Sequence, residues 1–301
     1  KREEIGECLK EALGKMGSGV DDRLDRYARQ LVQYGKRGRV DKIAKKARGN
    51  ARKQKMQTVF HSRSMMKRYI YRKILCKMKM IPDMVVFESF FGKNYSDSPK
   101  YIYEYLNETY PGTYKCVWVN TGKKLELPYG GKQVRRFSFR YFYYMARSRY
   151  FVFNGRQPRY FVKRKGSVFL ETWHGTPLKK LVFDMDDVTS ATPLYKEEVY
   201  KQTRAWDYLV APNQFSEEIF RHAFMYDGNM LETGYPRNDI LYRSDREQLT
   251  GEIKDELHIP RDKKVILYAP TWRDDEYYGH AKYKFTLMLD LDRMREELGE
   301  E

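Results

Sequence analysis

One stretch combines a histidine, a tight turn and two cations: Val168-Phe169-Leu170-Glu171-Thr172-Trp173-His174-Gly175-Thr176-Pro177-Leu178-Lys179-Lys180-Leu181. An imidazole titrates near neutrality, so His174 can take the proton from an attacking hydroxyl. The run Val168–Leu170 suits a buried parallel strand. Thr176 suits an N-cap, Pro177 the first helical position, and Leu178 and Leu181 begin an apolar spacing, so a helix is predicted after Pro177. A strand that turns into a helix at a glycine aims backbone N–H groups and the positive end of the helix dipole at the turn. Phosphate can sit there, with added charge from one of Lys179 and Lys180 while the other stays solvated. The chemistry implied is a base beside a bound phosphate, at the carboxyl end of a strand where open α/β sheets hold ligands. A lone histidine is more often structural; Trp173 and the Gly-Thr-Pro turn are what favour function.

Other candidates are weaker. Arg273 follows a β-prone run and could clamp phosphate or make a surface ion pair. Arg237 and Asn238 share that ambiguity, and Asn238 or Asp239 could simply cap a helix. His222, His258 and His280 lack any partnering pattern and read as non-catalytic. The aromatics Tyr141–Tyr144 and Trp206 read as core or domain seam rather than base-stacking platforms.

These residues need a scaffold, and 301 residues can bury a core and hold two domains. The chain begins at Lys1 rather than Met, which reads as a processed or excised piece. There is no apolar run of membrane-spanning length and no signal-peptide pattern. The three cysteines, Cys8, Cys76 and Cys116, are far apart and form no Cys/His cluster. Reduced thiols, a cytoplasmic chain and no structural zinc are expected.

The net charge of +17 is unevenly placed. Residues 1–80 carry 24 Lys+Arg against 8 Asp+Glu, whereas the rest carries 34 against 33. Residues 42–80 hold 14 Lys+Arg and no acid. Residues 1–57 read as helices broken near Gly17–Gly19 and Gly35–Gly38. From Phe60 onward Met65/Met66, Tyr69/Ile70, Ile74/Leu75 and Met78 recur at near-helical spacing among basic residues. Such a helix either packs on its own domain or lies on an anionic membrane surface. Nucleic acid is a third partner class, but no binding motif accompanies the charge.

Past Pro82, taken as the end of that helix, strands and helices alternate. Strands are predicted at Met84–Glu88, Cys116–Asn120, Tyr150–Phe153, 168–172, Tyr208–Ala211 and Met230–Glu232. Helices are predicted at about Pro99–Tyr110, Phe139–Ser148 and Ser216–Phe224. This rhythm indicates a doubly wound parallel sheet. Residues 245–262 suit a linker with a helix, Lys264–Tyr268 a new strand, and Asp290–Glu301 a helix.

Trp173-His174-Gly175-Thr176-Pro177-Leu178-Lys179-Lys180 closely resembles a signature of the CDP-glycerol glycerophosphotransferase family, the teichoic acid polymerases and primases. The resemblance extends to Glu88–Pro99, Trp206-Asp207-Tyr208, Gly234-Tyr235-Pro236-Arg237-Asn238-Asp239 and Tyr268-Ala269-Pro270-Thr271-Trp272-Arg273, five motifs in one order. It implies a GT-B-like α/β fold with two Rossmann-like domains: a basic helical segment at 1–80, an acceptor-side domain at 82–250, and the beginning of a donor-binding domain at 251–301. It also implies a peripheral enzyme at the cytoplasmic face of the cell membrane. That enzyme would move glycerol phosphate, or a related polyol phosphate, from CDP-glycerol or CDP-ribitol to a hydroxyl of a lipid-linked polymer. His174 would be the general base. Trp173, Gly175, Thr176, Lys179, Arg237, Asn238, Thr271 and Arg273 would contact substrate and phosphate, and Asp184 would orient a lysine or the acceptor. No resident cofactor is required, and a divalent cation could accompany the donor diphosphate. Family members continue past the position of Glu301 and carry a second functional histidine, which His280 does not match. A nucleotide-sugar glycosyltransferase and a basic nucleic-acid-binding protein remain the alternatives.

Overall fold

Strands that are buried on both faces read as nearly continuous apolar runs, and the computed structural model gathers such runs, with shorter and more exposed edge strands, into one seven-stranded parallel sheet. It describes residues 62–186, 194–270, 277–279, 282–283 and 287–298. The broken helices expected within residues 1–57 lie outside these. The strands are β1 (Ile81–Glu88), β2 (Lys115–Asn120), β3 (Lys132–Arg135), β4 (Ser148–Phe153), β5 (Val168–Glu171), β6 (Tyr208–Ala211) and β7 (Asn229–Glu232). Their order in space is β3-β2-β1-β4-β5-β6-β7, and every pairing is parallel. The order reverses between β1 and β4, which makes that seam the topological switch point.

Alternate residues of each strand face opposite ways, so β1 feeds two cores. Val86 joins Val117, Phe151, Phe153, Phe169 and Leu209 on one face. Onto this face pack α3 (Phe139–Arg147) through Tyr141, Phe142 and Met145, α4 (Tyr195–Thr203) through Val199, and α5 (Gln214–Ala223) through Phe220. Val85 and Phe87 face the other way, with Trp118, Val152 and Tyr103 of α2 (Asp97–Thr109). Burying each of these large side chains stabilises the fold by about 1.5–3 kcal/mol. Trp206 is likewise buried, as expected of core. Two of these helices, α3 and α5, start on side-chain caps: Ser138 Oγ accepts from Tyr141 N at 3.1 Å and Asn213 Oδ1 from Ser216 N at 2.9 Å.

The basic helix α1 (Arg63–Lys73) is shorter than its apolar spacing suggests. Pro82 does not end it but lies inside β1, where the β1–β4 register shifts between Ile81 and Val85. A proline is tolerated there because a regular ladder N–H is not needed at an irregularity. The helix docks by one side: Tyr71 is fully buried against Phe142, with ring centroids 5.6 Å apart, and its hydroxyl accepts from Val162 N at 3.1 Å. Met65, Ile74 and Met78 stay exposed.

Two expected elements do not form. Residues 172–181 carry no helix. Pro177 is buried while Leu178 is 85% exposed, so the apolar spacing has no face to bury and nothing rewards a helix. Lys264–Tyr268 is irregular and exposed, because a strand needs a neighbouring ladder and none pairs with it among the described residues. The edge strand β3 is an addition.

The chain divides into two compact units, Lys1–Pro236 and Arg237–Glu301. The second contains α6 (Arg246–Glu256), a two-stranded antiparallel pair of β8 (Tyr277–Gly279) and β9 (Lys282–Tyr283), and α7 (Leu291–Leu298).

Candidate active site

Three carboxyl ends of neighbouring strands, β1, β4 and β5, converge on His174. In register across them lies a row of Glu88, Phe153 and Glu171, all buried. Each strand then leaves the sheet differently. After β1 the chain turns sharply through Ser89, Phe90, Phe91 and Gly92. Both phenylalanines adopt positive φ, 44° and 60°, a left-handed conformation that side chains disfavour. Gly92 has φ +83°, and a Cβ there would lie 3.2 Å from the Asn120 carbonyl carbon, so only glycine fits. After β4 comes Asn154, fully buried. After β5, Thr172 N donates to Phe153 O at 2.7 Å, and Trp173 takes φ 52°.

That backbone twist sends Trp173 and His174 to stacked positions. The indole packs edge-on against Phe224 of the α5 C-terminus at 4.7 Å, and the imidazole stacks on the indole at 4.4 Å and 28°. Phe90 presents an edge to His174 at 5.8 Å. His174 Nδ1 is 2.5 Å from the Asn154 carbonyl oxygen. The His174 residue is exposed.

Two carboxyls that sequence reasoning did not single out lie behind it. Burial pushes Glu88 up to about 7, opposed by the Arg136 guanidinium, whose Nε lies 3.2 Å from Oε2. Burial also pushes Glu171 well above the usual carboxylate range; the Trp173 N–H opposes this, and nearby Glu88 adds to it. Glu171 Oε1 accepts from Trp173 N at 3.3 Å. Glu88 Oε1 and Glu171 Oε2 have no hydrogen-bond partner among the described residues. The signal for both was present: each is an acid closing an apolar run, Met84–Phe87 in β1 and Val168–Leu170 in β5.

The remaining candidates separate. The Gly175 carbonyl accepts from Tyr235 OH at 2.9 Å, tying the loop to the motif after β7. Thr176 is exposed and caps no helix, so the helix-dipole phosphate site expected there is absent. Lys179 is exposed on the same loop, and Lys180 is engaged by Asp186 at 2.7 Å. Asp184 pairs with His222, whose Nδ1 is 2.7 Å from Asp184 Oδ1. Arg237 and Asn238 lie in the 3-10 helix Pro236–Tyr242, so Asn238 and Asp239 are inside a helix rather than capping one. Thr271 and Arg273 lie outside the described residues. An open cleft of about 860 Å³ lined by Lys124, Leu127, Pro128 and Gln133 shares no residue with this site. Among the described residues no group of three His, Cys, Asp or Glu side chains could hold a metal ion.

A doubly wound parallel sheet carrying its site at the switch point is a Rossmann-like α/β domain of GT-B-like kind. The family model for CDP-Glycerol:Poly(glycerophosphate) glycerophosphotransferase matches residues 70–301, and the chain belongs to that family. It is 47% identical over 223 residues to the teichoic acid poly(glycerol phosphate) polymerase of Bacillus subtilis strain 168, covering 72% of this chain and 30% of that protein. It is 41% identical over 245 residues to the teichoic acid glycerol-phosphate transferase of Staphylococcus aureus strain NCTC 8325, covering 77% and 61%. Among solved structures, a variant of the wall teichoic acid polymerase TagF soaked with CDPG superposes with a TM-score of 0.74 at 41% identity, covering 86% of this chain and 63% of that one. The chain therefore spans between about a third and two thirds of the length of these relatives.

Proposed function

We propose that this chain is the acceptor-side part of a transferase that moves glycerol phosphate from CDP-glycerol to a terminal hydroxyl of a teichoic-acid-like polymer. The observation that carries the reading is His174, exposed at the switch point with Nδ1 on the Asn154 carbonyl. With its proton on Nδ1, the ring offers a lone pair at Nε2. The acceptor hydroxyl oxygen attacks the phosphorus next to glycerol, its proton passes to Nε2, and the bond to the CMP oxygen breaks. CMP leaves as a stabilised phosphate and needs no strong acid. Such a base contributes ~10²–10⁴ in rate. Lys179, on the His174 loop, suits the donor diphosphate, and the family resemblance extends that role to Arg237, Asn238, Thr271 and Arg273. A divalent cation, if used, would arrive with the diphosphate.

The donor is named from the relatives, most of which carry glycerol phosphate in their names, whereas the ribitol-phosphate polymerases match over only 67 residues. The acceptor is lipid-linked in this reading, and α1 with the turn after it faces the membrane surface through exposed Met65, Ile74 and Met78 among cations. No helix among the described residues is long and apolar enough to cross a membrane. The test is CMP release from CDP-glycerol with a lipid-linked acceptor, with CDP-ribitol and nucleotide sugars run beside it. His174→Ala in an enzyme preparation that turns over CDP-glycerol is expected to lower kcat by ~10²–10⁴ with KM little changed. A variant keeping more than half the turnover removes His174 from the mechanism.

A further inference from the structure

An exposed imidazole is free to choose which nitrogen carries its proton unless a neighbour decides for it. Here a backbone carbonyl faces Nδ1. A carbonyl only accepts, so the 2.5 Å contact to Asn154 O assigns the proton of the neutral ring to Nδ1. The face-on stack against Trp173 at 4.4 Å hinders the ring flip that would exchange the two nitrogens.

The aim of that carbonyl depends on what holds Asn154. Its side chain is fully buried and spans the seam between β4 and the turn after β1. Oδ1 accepts from Phe90 N at 2.8 Å, and Nδ2 donates to Ser89 Oγ at 3.3 Å. Its own N–H donates to Glu88 O at 3.4 Å. Ser89 Oγ in turn lies 3.4 Å from Ser96 Oγ at the start of α2. The turn so gripped is the one with Phe90 and Phe91 at positive φ, and left-handed backbone at such residues persists only where its surroundings over-determine it. One amide, offering an acceptor and a donor together, meets both needs.

We propose that Asn154 is the positioning residue for His174: its side chain locks the exit of β4 to the 89–91 turn, and the carbonyl so aimed holds His174 in the Nδ1–H tautomer. The catalytic consequence rests on His174 being the base, because only then does a lone pair fixed at Nε2 matter to turnover. The tautomer itself does not depend on that reading.

The experiment is long-range ¹H–¹⁵N NMR of this chain labelled with ¹⁵N-histidine, at about pH 8, where an ordinary imidazole is neutral. His174→Asn, which deletes one of five histidine signals, gives the assignment. The expected wild-type spectrum has a pyrrole-like Nδ1 and a pyridine-like Nε2. Asn154→Ala is expected to cut the tautomer ratio by roughly 5- to 10-fold, the weight of one net hydrogen bond, so that the two shifts converge. Ser89→Ala, which removes the Nδ2 partner and the contact to Ser96 Oγ but leaves Oδ1 on Phe90 N, is expected to move the ratio the same way by less, and it serves if Asn154→Ala fails to fold. A wild-type proton on Nε2, or an unchanged ratio in a folded Asn154→Ala or Ser89→Ala protein, overturns the proposal. Should the tautomer be locked as described while His174→Ala retains turnover, the base assignment falls and the clamp stands. Should the ratio ignore Asn154 while His174 proves essential, the reverse holds.

Discussion

Glu88 and Glu171 flank Phe153 beneath the stacked Trp173–His174 pair, and their burial makes them titrate far from where carboxyls ordinarily do. For Glu88 the folded-state value of about 7 lies above the reference 4.5. A group raised on folding contributes stability that is fully present below about 4.5 and is lost as pH rises to about 7. Chemical denaturation from pH 4.5 to 7.5 should therefore show a decline on the order of 1–3 kcal/mol that Glu88→Gln flattens. Equal slopes in the two proteins would remove Glu88 as the source. At this scale the sequence was legible where one motif holds the side chains that the structure stacks together, as with His174 and Trp173. It was mute about Asn154, which reaches His174 through a carbonyl that every residue possesses. It also misled at Thr176 and Pro177, whose local preferences fit a helix start that no packed face was there to complete.

Among the elements, α1 and the turn that follows it have one side packed and one side exposed. Tyr71 of α1 and Leu75 just beyond it dock on the sheet domain, whereas Ile74, which follows α1, is 54% exposed amid Arg72, Lys73 and Lys77. Tyr71→Ala should cost about 3–5 kcal/mol of stability, because it empties a buried aromatic site and strips a partner from Val162 N. Ile74→Glu should cost no more than ~0.5 kcal/mol, yet weaken co-sedimentation with vesicles rich in anionic lipid several-fold, since it removes apolar contact and adds a repelled charge. Undiminished vesicle binding by Ile74→Glu would remove this side of the segment as a membrane contact. The alternation of strands and helices was readable because six of the seven strands of the parallel sheet are apolar runs. The seventh, β3, reads Lys-Gln-Val-Arg with only Val134 buried, as befits an edge strand, so its pattern could not be told from a loop. Lys264–Tyr268 has the opposite defect, β-prone residues with no ladder to join.

At the scale of the molecule, the order β3-β2-β1-β4-β5-β6-β7 places the three strands that carry the site in the middle. The residues that meet there, Glu88, Asn154 and His174, are far apart in sequence, so the arrangement was not visible in any one stretch; only the alternation of elements implied a switch point. Opening of such a sheet proceeds by fraying, and fraying begins where a strand has one neighbour instead of two. Two strands must peel away on either side, β3 and β2 or β7 and β6, before a strand bearing the site becomes a margin. Hydrogen exchange should accordingly find amides of β4, and Thr172 N bonded to Phe153 O, exchanging only through global unfolding, with β3 and β7 at least ~10-fold faster. Comparable rates in β4 and β7 would contradict this. The strained turns at Phe90, Phe91 and Trp173 thus sit at the place least exposed to partial opening, so local melting at the rim can be frequent without loosening the histidine's grip.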